Sequence, residues 1–116
     1  MRLGARTPEE LETLLEDAFM VRDREAVAKL FEEGAVLAAG NRAQEARGEE
    51  AIARLATEMW ERDRMYLADP RHVLQARDTA LVVAERGIKV VRRGSDGAWR
   101  YAISLLSGDD DAKEDR

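Results

Sequence analysis

The sequence predicts an α+β domain, with helices gathered on one face of a mainly antiparallel sheet. Three observations predict it. Apolar residues recur at helical spacing in three segments of the first sixty residues. After about Arg64 the pattern changes to short extended runs of β-branched and aliphatic residues. Glycine and Asx turns separate these runs, and no proline interrupts them beyond Pro70.

Thr7-Pro8-Glu9-Glu10 opens the first helix, with an N-cap threonine, proline at the first helical position and a glutamate three residues on. Leu11, Leu14, Leu15, Ala18 and Phe19 then form its apolar stripe. Asp23 caps a second, shorter helix that turns Ala26, Val27, Leu30 and Phe31 inward and stops near Gly34. Residues 35–39 read as a strand, turned by Gly40-Asn41 into a second strand near 43–47. Gly48-Glu49-Glu50 starts a third helix, whose stripe is Ala51, Ile52, Leu55, Ala56, Met59 and Trp60. Strands follow at 72–77, 79–84 and 88–93. Gly94-Ser95-Asp96-Gly97 is a tight turn, and 98–106 is the last strand, with Trp99, Tyr101, Ile103 and Leu105 on one face. Leu11, Leu14, Phe19, Val27, Leu30, Ile52, Leu55, Met59 and Trp99 are the expected core.

At 116 residues the chain is sized for one domain, assigned to 1–107, with an acidic solvated tail at 108–116. A composition of 45% hydrophobic and 37% charged residues is globular. No apolar run is long enough for a membrane span, and MRLGARTPEE lacks the apolar stretch of a secretory signal. The expected location is therefore cytoplasmic, with no membrane partner. Without cysteine there is neither a disulfide framework nor a thiolate metal site. The net charge of −5 runs against a nucleic-acid partner. The local basic cluster Arg86, Lys89, Arg92, Arg93 and Arg100 is scattered by strand alternation over two faces.

The stretches "TPEELETLLEDAFMVRDREAVAKLFEEGAVL", "RGEEAI", "RDTALV" and "GSDGAWRYAI" resemble, in order and spacing, successive signatures of the nuclear transport factor 2-like (SnoaL-like) family. The resemblance covers residues 7–107. It implies a cystatin-like cone, a strongly curved sheet wrapped by helices, in a family that includes isomerases, cyclases, dehydratases and proteins with no known reaction. Two departures stand out. Val83-Ala84-Glu85-Arg86-Gly87 leaves room for a tight hairpin, or else the two runs join as one long strand with a bulge at Gly87. The acids of the family's ketosteroid isomerases are missing. Their base matches Ala39, their tyrosine Leu15 and their second acid, near enough, Lys89, while relatives ending in "IDNP" carry an acid where this chain has Ser104.

His72 is the one side chain with an unperturbed pKa suited to acid–base work. It is the candidate catalytic residue, with Tyr66, Asp69 or Asp78 as partner, against the simpler reading of a strand-edge histidine. Leu15, Phe19, Met59, Trp60, Tyr101, Ile103 and Leu105 are the candidates to line an apolar pocket, against the simpler reading that they are core. Trp99 is weighed with them. Asp109-Asp110-Asp111 lacks the glycine and glutamate of a calcium loop, and Gly94–Gly97 lacks the helix and lysine of a phosphate loop. No metal and no cofactor is expected. The leading functional expectation is a domain that binds a small apolar molecule in its cone without an identified reaction, working as a homodimer through the outer sheet face. Apolar residues on both parities of the last strand support that dimer. A proton-transfer isomerase or cyclase using His72, and a dimeric interaction module, are the alternatives.

Overall fold

The computed structural model describes residues 4–39, 44–62, 70–85 and 87–106. Its elements in chain order are α1 (Pro8–Met20), α2 (Arg24–Lys29), β1 (Phe31–Ala39), β2 (Gln44–Arg47), α3 (Glu49–Glu61), β3 (Pro70–Ala76), β4 (Thr79–Ala84), β5 (Gly87–Arg93) and β6 (Trp99–Leu106). The strands form one open six-stranded sheet in the order β2-β1-β6-β5-β4-β3. Every pairing is antiparallel except β1 with β6, which is parallel. A parallel pair cannot be joined by a hairpin. The chain between β1 and β6 makes the remaining strands and α3, and brings β6 back to the centre of the sheet.

The local signals act as the sequence predicts at α1. The Thr7 hydroxyl accepts from the Glu10 N–H at 3.0 Å, and the Glu10 carboxylate reaches back to the Arg6 N–H at 2.7 Å. Asp23 caps α2 by accepting from the Ala26 N–H at 3.1 Å. The helical stripes bury Leu11, Leu15, Ala18 and Phe19 from α1, and Ile52, Leu55, Ala56 and Trp60 from α3. Leu14 and Met59 are half-buried at the margins of these stripes.

Two expectations are corrected by the fold, and one open alternative is decided. The second helix ends at Lys29, and Phe31 already belongs to β1. Sheet pairing overrides the helical pattern here. Phe31 pairs with Tyr101, whose N–H donates to the Leu30 carbonyl at 2.9 Å, and the two rings stack at 5.0 Å. The register of β1 against β6 then slips between Phe31 and Val36, where Gly34 takes a φ of +79°.

The structure also decides between the two alternatives left open for β4 and β5. They are not one long strand but a tight hairpin, in which Ala84 pairs with Gly87. A Cβ on Gly87 would sit 2.7 Å from the Leu105 carbonyl oxygen, so the close approach of β5 to β6 requires glycine.

The second correction is the face of the last strand. Trp99 and Tyr101 point into the core, but Ile103 and Leu105 point out. The register of β5 against β6 shifts between Val90 and Val91, with Val91 opposite Tyr101 and Val90 opposite Ile103. Ala102 is the extra residue of a β-bulge, and one extra residue inverts the alternation for the rest of the strand.

The residue-40 turn, the 63–69 connection that holds Tyr66 and Asp69, Arg86 and the acidic tail all lie outside the described residues.

Candidate functional site

The two faces of the sheet are defined by cross-strand rungs. On the face that meets the helices, one rung runs Val73, Val82, Lys89, Ser104, Leu37, Ala46. It is apolar at both ends and polar in the middle. Lys89 and Ser104 sit opposite each other at its centre, and both are 2% exposed.

Glu12 of α1 is 1% exposed and meets this rung from above. The Lys89 ammonium lies 3.2 Å from each Glu12 carboxylate oxygen. The Tyr101 hydroxyl donates to Glu12 Oε2 at 2.6 Å. Burial holds the Lys89 pKa below its ordinary value, because desolvation disfavours the charged amine; the charge of Glu12 and the hydrogen bond to it pull the other way. A buried charge is tolerated when paired and hydrogen-bonded, and this cluster supplies both.

Two buried polar atoms find no hydrogen-bond partner among the described residues: Ser104 Oγ, on this rung, and Trp60 Nε1 of α3. Trp60 closes against Phe19 edge-on, with ring centroids 5.4 Å apart. An indole N–H can only donate and a hydroxyl can do either. The buried layer between sheet and helices thus holds an ion pair and two unengaged donors.

The sequence candidates divide between the two faces. Leu15, Phe19, Trp60 and Tyr101 are buried on the helix side, and Met59 is half-buried beside them. Ala39 and Leu15 occupy the positions where the resemblance misses its catalytic groups; Ala39 is half-buried at the end of β1. Ile103 and Leu105, expected in the pocket, are 53% and 52% exposed on the opposite face.

His72 is exposed and belongs to the outer rung His72, Val83, Ile88, Leu105, Ala38. That row puts its imidazole on the far side of the sheet from the Glu12–Lys89 pair. Asp78, one suggested partner, is held by Arg93, whose Nε donates to Oδ1 at 2.8 Å. Two more basic residues at the sheet ends are paired. Arg92 grips Glu32 with two hydrogen bonds, and Arg100 grips Asp96 with two. The hydrogen bonds from Arg100 and from the Ala98 N–H hold the Asp96 carboxyl well below the usual carboxylate range.

Glu12 and Lys89 were missed as a pair, although each left a trace in the sequence. Glu12 falls three and seven residues before Leu15 and Phe19, squarely on the apolar stripe. Lys89 shares its parity with Val91 and sits between the apolar Ile88 and Val90.

No protein-family model and no curated protein matches the chain. Solved structures do match. A protein from Thiobacillus denitrificans, provisionally named a calcium/calmodulin-dependent protein kinase type II association domain, superposes with a TM-score of 0.75 at 20% identity, covering 91% of this chain and 98% of that one. A ketosteroid isomerase-like protein from Erwinia carotovora gives 0.68 at 21% identity, over 85% of this chain and 91% of that one. A nuclear transport factor 2-like protein with a cystatin-like fold from Novosphingobium aromaticivorans gives 0.67 at 24% identity, over 88% and 79%. Others with the same fold are described as of unknown function. The open six-stranded sheet wrapped by three helices is therefore the cystatin-like fold of nuclear transport factor 2-like proteins.

Proposed function

We propose that this domain works as a homodimer joined through its outer sheet face, and that each cone receives a small molecule on its polar floor, with no reaction assigned. The observation that carries the dimer is the outer face itself. Two rungs cross five strands there, Leu74-Leu81-Val90-Ile103-Val36 and His72-Val83-Ile88-Leu105-Ala38. Leu74, Ile88, Ile103 and Leu105 are 63%, 45%, 53% and 52% exposed. A solvated sheet face is normally polar, and a contiguous apolar patch on a soluble chain marks an interaction surface. A second copy fits best, because an isologous contact needs only one patch that complements itself. The Thiobacillus neighbour's name describes a role in association on the same fold. Sedimentation velocity at micromolar concentration tests this. The expected result is a species of twice the chain mass, converted to monomer by Leu105→Glu with unchanged circular dichroism. A wild-type chain that sediments only as monomer at tens of micromolar refutes it.

The second part rests on a separate observation: the buried Ser104 Oγ and Trp60 Nε1 find no partner among the described residues, and Ser104 lies opposite Lys89 of the ion pair. A purely apolar guest would leave these donors unpaired at a cost of roughly 1–3 kcal/mol each. A small apolar molecule that carries an acceptor oxygen would satisfy them. Native mass spectrometry of the purified protein should reveal such a guest, and Ser104→Ala should lower its occupancy. Identical occupancy in the variant would separate the guest from this floor. The isomerase alternative is the weaker reading: nothing about an exposed His72 in an apolar outer row supports a pocket base.

A further inference from the structure

A cavity lies where the C-terminal end of α1, α2 and the start of β1 meet. Its volume is about 760 Å³, within the range of small-molecule sites. Leu14, Ala18, Ala26, Leu30 and Phe31 supply an apolar floor, and Val21, 72% exposed, stands at the rim. Ala18, Leu30 and Phe31 belong to the core and show only their outer edges here, while Leu14 and Ala26 are half-buried beside them.

The charges around this floor are one-sided. Of the charged lining residues, Glu32 is taken by Arg92, Arg100 by Asp96, and Asp23 by the cap of α2. The others are Asp17, Glu33, Glu49 and Lys29, all exposed and none in an ion pair among the described residues. Three unpaired carboxylates thus face one unpaired ammonium. The negative end of the α1 dipole points to the same place, and no basic residue in the last turn of α1 offsets it. The N-termini of α2 and α3 also reach the groove, at Asp23 and Glu49, so its negative sign comes from the side chains.

We propose that this groove is a binding site for a small amphipathic organic cation, an amine or quaternary ammonium on an apolar body. The apolar body lies on the Leu14–Phe31 floor, and the cationic head sits among Asp17, Glu33 and Glu49. The site is independent of the cone and of the outer sheet face.

Decyltrimethylammonium, held below its micelle concentration, is a direct probe by titration calorimetry. The expected result is saturable binding of one molecule per chain. Decanoate, which has a similar tail and the opposite charge, should bind at least about tenfold more weakly at low salt. Val21→Arg, a substitution at an exposed rim position, should weaken the cation by a similar factor, and Ala26→Trp should fill the groove and abolish binding. Leu105→Glu should leave the affinity unchanged. Equal binding of decanoate overturns the proposal, as does full binding in a folded Val21→Arg variant or the absence of saturation. Loss of binding in Leu105→Glu with retention in Val21→Arg also overturns it, by putting the probe on the sheet face.

Discussion

The two faces of the one sheet invert the ordinary relation between polarity and burial. The face against the helices hides a glutamate, a lysine and a serine at 1–2% exposure, while the outer face presents two leucines and two isoleucines at 45–63%. The strands are the same, and so is their composition of β-branched and aliphatic residues. The difference lies in what each face meets. The inner rung closes under α1, whose Glu12 gives Lys89 a charged partner and Tyr101 an acceptor. The outer rung meets nothing in the described chain. A buried charge with a partner and an exposed leucine without one both make sense if the inner face holds a site and the outer face holds a neighbour.

The largest effects are expected on the inner face. Glu12→Ala should destabilise the fold by about 3–5 kcal/mol, because it strands the Lys89 ammonium in the core and removes the acceptor of the Tyr101 hydroxyl. The double variant Glu12→Leu with Lys89→Met should recover most of that loss, since apolar groups of similar volume replace a buried pair with little penalty. Urea denaturation of the three proteins decides it. A Glu12→Ala loss below about 1 kcal/mol would break the comparison from the inner side. Phe19→Ala, which removes the edge-on partner of Trp60, belongs to the same class at about 3–5 kcal/mol.

A smaller effect sharpens the role of Lys89. Its folded pKa is lowered by burial, so in the window between that value and the ordinary 10.5 the folded chain has released a proton that the unfolded chain still holds. The unfolded state then binds more protons, and stability rises with pH across that window. Wild type should therefore gain stability relative to Lys89→Met as pH climbs towards 10.5. A difference that stays flat or falls would mean that the ion pair with Glu12 outweighs desolvation.

The smallest effects are expected on the outer face. His72→Ala should change the stability of the fold by no more than about 0.5 kcal/mol, as for an exposed position without a buried partner. A loss above about 2 kcal/mol would show that His72 has a structural role that its row does not suggest.

Much of the architecture was legible from local chemistry. Thr7 and Asp23 cap the helices that their side chains signalled, and Leu11, Phe19, Val27, Ile52 and Trp99 are buried as their spacing and size required. The β4 strand begins and ends at Thr79 and Ala84, the limits read from the pattern. The candidate site was half legible. Leu15, Phe19, Trp60 and Tyr101 gather on the helix side, but the ionic centre between Glu12 and Lys89 joins residues 77 positions apart. No local pattern reports such a partner.

The sequence by itself determined the element types, the caps and the stripes, because each depends on neighbours within a turn or two of chain. Tertiary structure decided the rest. It cut α2 short at Lys29, because Phe31 gains more from pairing and stacking with Tyr101 than from one more helical turn. It set the bulge at Ala102 that turned Ile103 and Leu105 outward, because the register of β6 must satisfy β5 and β1 together. It made Glu12 and Lys89 a pair, because only packing brings α1 over the middle of the sheet. Burial is a property of the assembled layers. A strand that is apolar on both parities leaves the choice of inner face to whatever packs against it.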